Sequence, residues 1–361
     1  MKIGIVTYHR SHNYGALLQA IAIRVVLKSL GHDAYYVDYW PSYHRRMYSM
    51  INFKQILNWH IRSNIKYLHN LCLTYKSKNR RRLSMFKFIK EYIEPYCLPT
   101  TEKFDIIIYG SDQIWRKQSE THKYNPVYFG KNEFKTKKNI TYAASMGIIP
   151  TSIKEKETIQ KLVSNLDAIS VREKSLAQLL ETLHFSNVRI NLDPTLLLTQ
   201  EQWNNIIPSQ NYNGPRYLLY YNLQPNAFSL EKIRKFAIRK GLTLKIIYGN
   251  AIKHEDKNNI SSTSADGFLE LIRHSEFVFT SSYHGLVFSL LYAKPFYASF
   301  ETNVERAKSI LSILGLQEYL LSPKTDIPED FKEINYKQIF TTLNSLRAES
   351  IDYLKQFCKQ L

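Results

Sequence analysis

Residues 2–39 read KIGIVTYHRSHNYGALLQAIAIRVVLKSLGHDAYYVDY. The apolar run 2–7 predicts a strand. Beyond it, Ala16, Ala20, Ile23, Leu27 and Leu30 recur at offsets of four, three, four and three, which traces one face of a helix. Gly31 stops that helix, since glycine takes the left-handed conformation that ends one. DAYYVDY, residues 33–39, predicts a second strand. Strand, helix and strand in under forty residues make a βαβ unit, so the sheet is parallel.

Working outward, the same alternation returns. Strands are expected at 104–110, 139–145, 168–173 and 187–193, all in the first sheet, with helices between them. Around DPTLLLTQEQW, 193–203, the chain changes domain. A second series follows: strands YLLYYN, LTLKIIYG, EFVFT and PFYASF, with helices at 228–240, at 266–274 and from 285. The expected division is 1–195, carrying a basic helical insertion at 43–95, then 196–334, then C-terminal helices at 335–361. Two Rossmann-like, doubly wound α/β halves facing a cleft form the architecture called GT-B-like, with ligands at the carboxyl ends of the strands.

Bulk composition agrees. A length of 361 residues is natural for two domains, and 44% hydrophobic content fits a core-forming chain. No stretch approaches 18 apolar residues, so no membrane span is expected. The N-terminal apolar run is too short for a signal-peptide core. Three cysteines without metal-type spacing suit a reduced cytoplasm and argue against zinc. The net charge of +18 is concentrated: from Tyr39 to Lys90 there are twelve Lys or Arg and no acid, interleaved with aromatics such as Tyr43, Phe53, Trp59 and Phe86. Such a run is either a solvated face or a surface for anionic partners. An anionic membrane surface or a lipid pyrophosphate fits it best; nucleic acid is set aside for want of any recognised module.

Four segments put polar groups at strand ends. In HRSHNYGALLQ, Asn13 reads equally as a helix N-cap or a ligand contact, and Gly15 lets backbone approach a ligand. In YGSDQIWR, Asp112 and Gln113 offer a carboxylate and an amide to the cleft, with Asp112 open to a helix-cap reading as well. In ISVREKS, Arg172 could hold phosphate or carboxylate, or pair with a neighbouring acid. In TSSYHGLVFSLLYAKPF, 280–296, His284 stands at a strand-to-helix turn between Ser282, Tyr283 and Gly285, placed to act as a general acid or to donate to an anion. No nucleophilic triad is legible.

Together with ITYAASMG (140–147) and LDPTLLL (192–198), these segments resemble the polysaccharide pyruvyl transferase family over most of the chain. The resemblance implies a GT-B-like fold and transfer of the enolpyruvyl group of phosphoenolpyruvate to two hydroxyls of one sugar of a cell-surface polysaccharide, giving a cyclic ketal and phosphate. Phosphoenolpyruvate is then a co-substrate, and neither metal nor organic cofactor is implied. The donor would lie around His284, with Ser282, Tyr283 and Gly285. The acceptor, free or polyprenyl-pyrophosphate-linked, would lie against Asn13, Tyr14, Gly15 and Gln113. His284 and Arg172 match the family's functional histidine and arginine. Some members have Arg-x-His where this chain has Ser282-Tyr283-His284, so another cation must serve, and Arg306 is the candidate. His284 as acid, Arg172 and Arg306 on the anion and Asp112 as base complete the expected set. The location implied is cytoplasmic, extending to the inner face of the plasma membrane. Two rival functions remain on sequence grounds: a nucleotide-sugar glycosyltransferase of the same fold, and a non-catalytic envelope glycan-binding protein.

Overall fold

A computed structural model describes residues 1–51, 61–119, 121–323 and 325–358. Phe53, Lys54 and Trp59 of the basic run lie outside the described residues. In chain order the first half contains β1 (Lys2–Val6), α1 (Tyr14–Ser29), β2 (Asp33–Val37), α2 (Ser42–Met47), α3 (Ile61–Tyr92), β3 (Cys97–Leu98), β4 (Lys103–Tyr109), β5 (Lys135–Thr141), α4 (Ile153–Val163), β6 (Ser170–Val171), α5 (Lys174–Thr182) and β7 (Arg189–Ile190). Then follow α6 (Pro194–Leu197), α7 (Gln200–Ile206), β8 (Tyr217–Asn222), α8 (Leu230–Arg239), β9 (Thr243–Tyr248), β10 (Asn259–Ile260), α9 (Ala265–Arg273), β11 (Phe277–Thr280), α10 (Tyr283–Leu291), β12 (Phe296–Ala298), α11 (Glu305–Ile313) and α12 (Tyr336–Cys358).

The strands form two five-stranded sheets of the same order, β3-β2-β1-β4-β5 and β10-β9-β8-β11-β12. Every pairing is parallel; Ile5, for example, lies between Tyr36 and Ile108. In each sheet the order reverses beside the first strand, at β1/β4 and at β8/β11. Open α/β sheets bind ligands at such points. This is the GT-B-like architecture.

Three features differ from the sequence reading. The segments 168–173 and 187–193 do not join the first sheet as full strands. β6 and β7 pair with each other, and single bridges at Ile140–Ala168 and Ala144–Val171 tie them to the sheet. Hydroxyls replace ladder bonds there: Thr141 Oγ1 accepts from the Ser170 amide at 2.8 Å, and Ser170 Oγ accepts from the Ala143 amide at 3.1 Å. β5 begins four residues earlier than expected and ends before Ala143, whose φ is +46°. Finally, α1 is apolar nearly all round rather than on one face. Leu17, Leu18, Ile21 and Ala22 are buried along with Ala16, Ala20 and Ile23, because the helix is packed between the first sheet and the second half.

One continuous core therefore runs from Ile3 and Leu17 to Leu218 and Phe279. The helix α12 returns to the first half. Tyr353 Oη donates to the Thr141 carbonyl at 2.8 Å, Ser350 Oγ accepts from the Leu192 amide at 3.1 Å, and Arg347 Nε donates to the Leu196 carbonyl at 2.6 Å. Among the described residues no helix is long and apolar enough to cross a membrane.

Leu354 on α12 is fully buried in that core. Replacing it with Ala should cost about 2–5 kcal/mol, as for other buried leucines. Urea unfolding will show the loss as a lower midpoint; an unchanged midpoint would mean that α12 does not clasp the first half in solution.

Candidate active site

The two switch points face each other across an open cleft of about 670 Å³. The β1/β4 side contributes Asn13, Asp112, Gln113 and Arg116, and the β8/β11 side contributes Gln224, Ser282, Tyr283 and His284. Arg306 enters from α11, a helix the sequence reading did not anticipate.

His284 owes its position to the turn that opens α10. Ser282 is the N-cap, its Oγ accepting from the Gly285 amide at 3.4 Å. Thr280 Oγ1 accepts from the Ser282 amide at 3.0 Å and braces the turn from β11. A Cβ on Gly285 would lie 2.1 Å from that same Oγ1, so glycine is required for the helix to sit this close to the strand. Its amide being capped, Gly285 serves as a spacer, and Tyr283 and His284 hold the outward-facing first turn. His284 is only 6% exposed. Its Nδ1 lies where a Cβ on Gly15 would stand, at 1.9 Å, so Gly15 makes room for this imidazole from the other half, not for a ligand.

Behind the imidazole lies Asp193, wholly buried, which the sequence reading passed over as part of the domain junction. Its Oδ2 is 3.6 Å from His284 Nε2 and is bonded to Arg172 Nη1. Its Oδ1 caps α6, accepting from the Thr195 amide at 3.0 Å and the Thr195 hydroxyl at 2.6 Å. LDPT carries the signal, an Asp before a helix-opening Pro. It announces a cap and says nothing of Arg172 and His284 sharing the other oxygen. Burial opposes the charge of Asp193, yet His284 and Arg172 hold its carboxyl well below the ordinary range.

Arg172 thus takes the ion-pair reading. Its guanidinium is buried beside Asp193, with Glu173 at 3.6 Å, and does not line the cleft. It acts through Tyr283, whose ring has the Arg172 Cζ 5.0 Å and the Arg306 Cζ 5.2 Å from its centroid. Arg306 makes no ion pair among the described residues, and burial followed by repulsion from Arg172 lowers its pKa. Two donors lining the cleft, Gln113 Nε2 and Arg306 Nε, and Arg172 Nη2 behind it are buried without a hydrogen-bond partner, and Arg172 Nε has only its 3.6 Å approach to Glu173. His284 Nε2 has only its 3.6 Å approach to Asp193.

On the β1/β4 side, Asn13 is the N-cap of α1, accepting from the Ala16 amide at 3.1 Å, and also lines the cleft. Tyr14 does not line it: the ring is buried against Phe268, 4.9 Å between centroids, packing one half on the other. Asp112 caps no helix. It has φ +73°, and its Oδ1 accepts from the Gln113 amide at 2.7 Å. Beside it opens an aromatic pocket with Tyr8, Tyr43, His44 and Tyr48 on its walls, unforeseen because Tyr43, His44 and Tyr48 belong to the basic insertion.

His9, Asp38 and Cys97 offer ligand-type atoms within 4.8 Å of one another. Arg10 Nε already bonds Asp38 at 2.7 Å, and burial pushes the Cys97 thiol up to about 12. The trio is an ion-paired cluster and does not fit a metal ion.

Fold and site together define a GT-B-like α/β protein with an anion-ready cleft between its halves. Comparison with known families goes further: the polysaccharide pyruvyl transferase model matches residues 13–299. The chain belongs to that family. Among curated proteins none matches significantly by sequence. Similar solved structures include a UDP-GlcNAc 2-epimerase from Methanocaldococcus jannaschii (10% identity, 95% of this chain and 92% of that chain, TM-score 0.46). Another is the UDP-GlcNAc 2-epimerase from Neisseria meningitidis (10%, 98% and 93%, 0.43), and a third is an E. coli heptosyltransferase with ADP (10%, 96% and 100%, 0.40). At such identities and scores no functional role carries over.

Because the folded pKa of Asp193 is depressed, its contribution to stability is complete above the unfolded value, about 3.9, and is lost as pH falls through that region. Stability should therefore decline from about pH 5 downward, and Asp193→Asn should flatten that decline while lowering stability at pH 7 by about 3–5 kcal/mol. Urea unfolding across pH 3–7 reads both; parallel pH profiles for parent and variant would remove Asp193 from the centre of the site.

Proposed function

We propose that this protein transfers the enolpyruvyl unit of phosphoenolpyruvate to two hydroxyls of one sugar in a cell-surface polysaccharide or its lipid-linked precursor. The observation that carries this reading is the pair of orphaned donors at the cleft, Gln113 Nε2 and Arg306 Nε. The phosphate and carboxylate of such a donor are acceptors only, and orphaned buried donors call for acceptors.

The chemistry follows. A proton from His284 converts the methylene of the donor to a methyl, leaving an electrophilic carbon. One sugar hydroxyl adds to that carbon, and Asp112, across the cleft, takes its proton. The second hydroxyl then displaces phosphate, which carries away the last proton, and the ring closes as a ketal. Asp193 steadies the imidazolium before it delivers its proton. Arg306 and Arg116 offset the charge of the departing phosphate, with Arg306 standing in for the arginine that Ser282 replaces. Arg172 is a positioning residue, holding Asp193 and Tyr283. No metal is needed for any of these steps.

The acceptor would be met at an anionic membrane surface. Along α3 the side chains of Ile65, Leu68, Tyr75, Leu83 and Phe86 are exposed, the last two at 53% and 55%. They form one stripe, flanked by the exposed Lys76, Lys87 and Lys90. An apolar stripe bordered by lysines suits the headgroup layer, each nearby cation adding about 1 kcal/mol.

Two experiments test the proposal. With phosphoenolpyruvate and a panel of glycan acceptors, the parent should release phosphate and add one pyruvate less one water to the acceptor. His284→Gln should be slower by at least about 10²-fold while remaining folded; near-parental turnover would end its role as acid. Stabilisation against heat by UDP or GDP instead of phosphoenolpyruvate would favour a glycosyltransferase. In flotation, the parent should rise with anionic liposomes at low salt and not with neutral ones. Leu83→Glu with Phe86→Glu should stay behind, and equal flotation of parent and variant would assign the stripe another purpose.

A further inference from the structure

The cleft does not end at Asp112. Asn13 lines it and also lines two openings beyond. The first is the aromatic pocket, where the His44 ring lies 4.4 Å from that of Tyr8 and 4.6 Å from that of Tyr43. Burial, opposed by Asp112, holds His44 down to about 4, so its imidazole is neutral near pH 7. Aromatic faces with polar edges, the Asp112 carboxylate and the Arg116 and Lys117 side chains at the rim suit a sugar ring.

Past Met47 and Tyr48, which belong to both, the pocket continues into a groove of about 1270 Å³ between α3 and the loop Gly249–Ala251. Its charged walls are Lys78, Arg81 and Arg82, and no carboxylate is among its described lining residues. Arg81 donates to the carbonyls of Tyr248 and Ser261, both at 3.2 Å, and of His12 at 3.4 Å. Lys78 Nζ donates to the Met50 carbonyl at 2.6 Å. Carbonyls satisfy hydrogen bonds without neutralising charge, so both cations are fixed in place and keep their field. Arg82 is exposed beside them and makes no ion pair among the described residues. Burial, then Arg81 and Arg82, drive His12 down to about 4, another sign of the positive field.

We propose that this groove binds a phosphoryl group attached to the acceptor, whose sugar occupies the aromatic pocket beside Asp112. The role of that sugar as acceptor rests on the transferase reading; the phosphate site does not. A lipid-linked glycosyl diphosphate and a phosphate-bearing polymer share this chemistry.

The test measures binding to the full chain by calorimetry. The probes are a panel of hexose 1-phosphates, the matching free hexoses, and a farnesyl diphosphate-linked hexose. Hexose phosphates should bind at least about tenfold more tightly than their free hexoses. Lys78→Gln with Arg82→Gln, which spares Arg81 and keeps a donor for the Met50 carbonyl, should erase that difference and leave phosphoenolpyruvate affinity and melting temperature unchanged. Tighter binding of the farnesyl-linked probe identifies a lipid carrier, and equal binding a polymer phosphate. Equal binding of hexose and hexose phosphate, or a variant that keeps the preference, would overturn the proposal. Failure of phosphoenolpyruvate to bind the parent while hexose phosphates do would count against the transferase reading alone.

Discussion

One buried carboxylate holds the site together. Asp193 sits at the junction of the halves, and Oδ2 faces Arg172 from the first half and His284 from the second. A buried charge without partners costs several kcal/mol, so the carboxylate keeps Arg172 and His284 beside it. Everything at the β8/β11 end of the cleft follows from this. Arg172 is drawn beside Tyr283, whose ring has two guanidiniums within 5.2 Å of its centroid, and the His284 ring is pushed against the one residue of α1, Gly15, that has no side chain to obstruct it.

Much of this was legible in the sequence, for physical reasons. The period-3.6 run of α1 between two apolar strands admits only a parallel unit, and the second half repeats the pattern. His284, Asp112, Gln113 and Asn13 were found because strand-end polar residues in a parallel sheet project toward the switch point. What stayed hidden depended on partners far away in sequence. Tyr14 sits next to Asn13 but faces the opposite side, into Phe268, and no local pattern distinguishes the two. Gly15 looked like a ligand-approach glycine because its true neighbour lies some 270 residues further on. Asp193 showed only its local half, the cap on α6. The strands β6 and β7 were over-read because Thr141 and Ser170 supply with hydroxyls what a longer ladder would supply with backbone.

The insertion gives the chain its individual character. Its α2 brings Tyr43 and His44 to the edge of the cleft, while α3 presents one face to the second half and another to solvent. Ser77 and Arg81 on the inner face bond the carbonyls of Ile252, Tyr248 and Ser261; Leu83 and Phe86 on the outer face are exposed. A single helix thus couples a surface suited to headgroups with a groove suited to phosphate. Cations that seemed at first one undifferentiated basic run divide into a structural member, Arg81, groove members, and a bordering set.

The most direct measurement is a crystal structure with phosphoenolpyruvate bound. The phosphate and carboxylate should lie between Arg306, Arg116 and the first turn of α10, with the methylene carbon turned toward His284 and away from Arg172. Phosphoenolpyruvate bound away from this cleft, or a nucleotide occupying the place it should take, would contradict the proposed reaction.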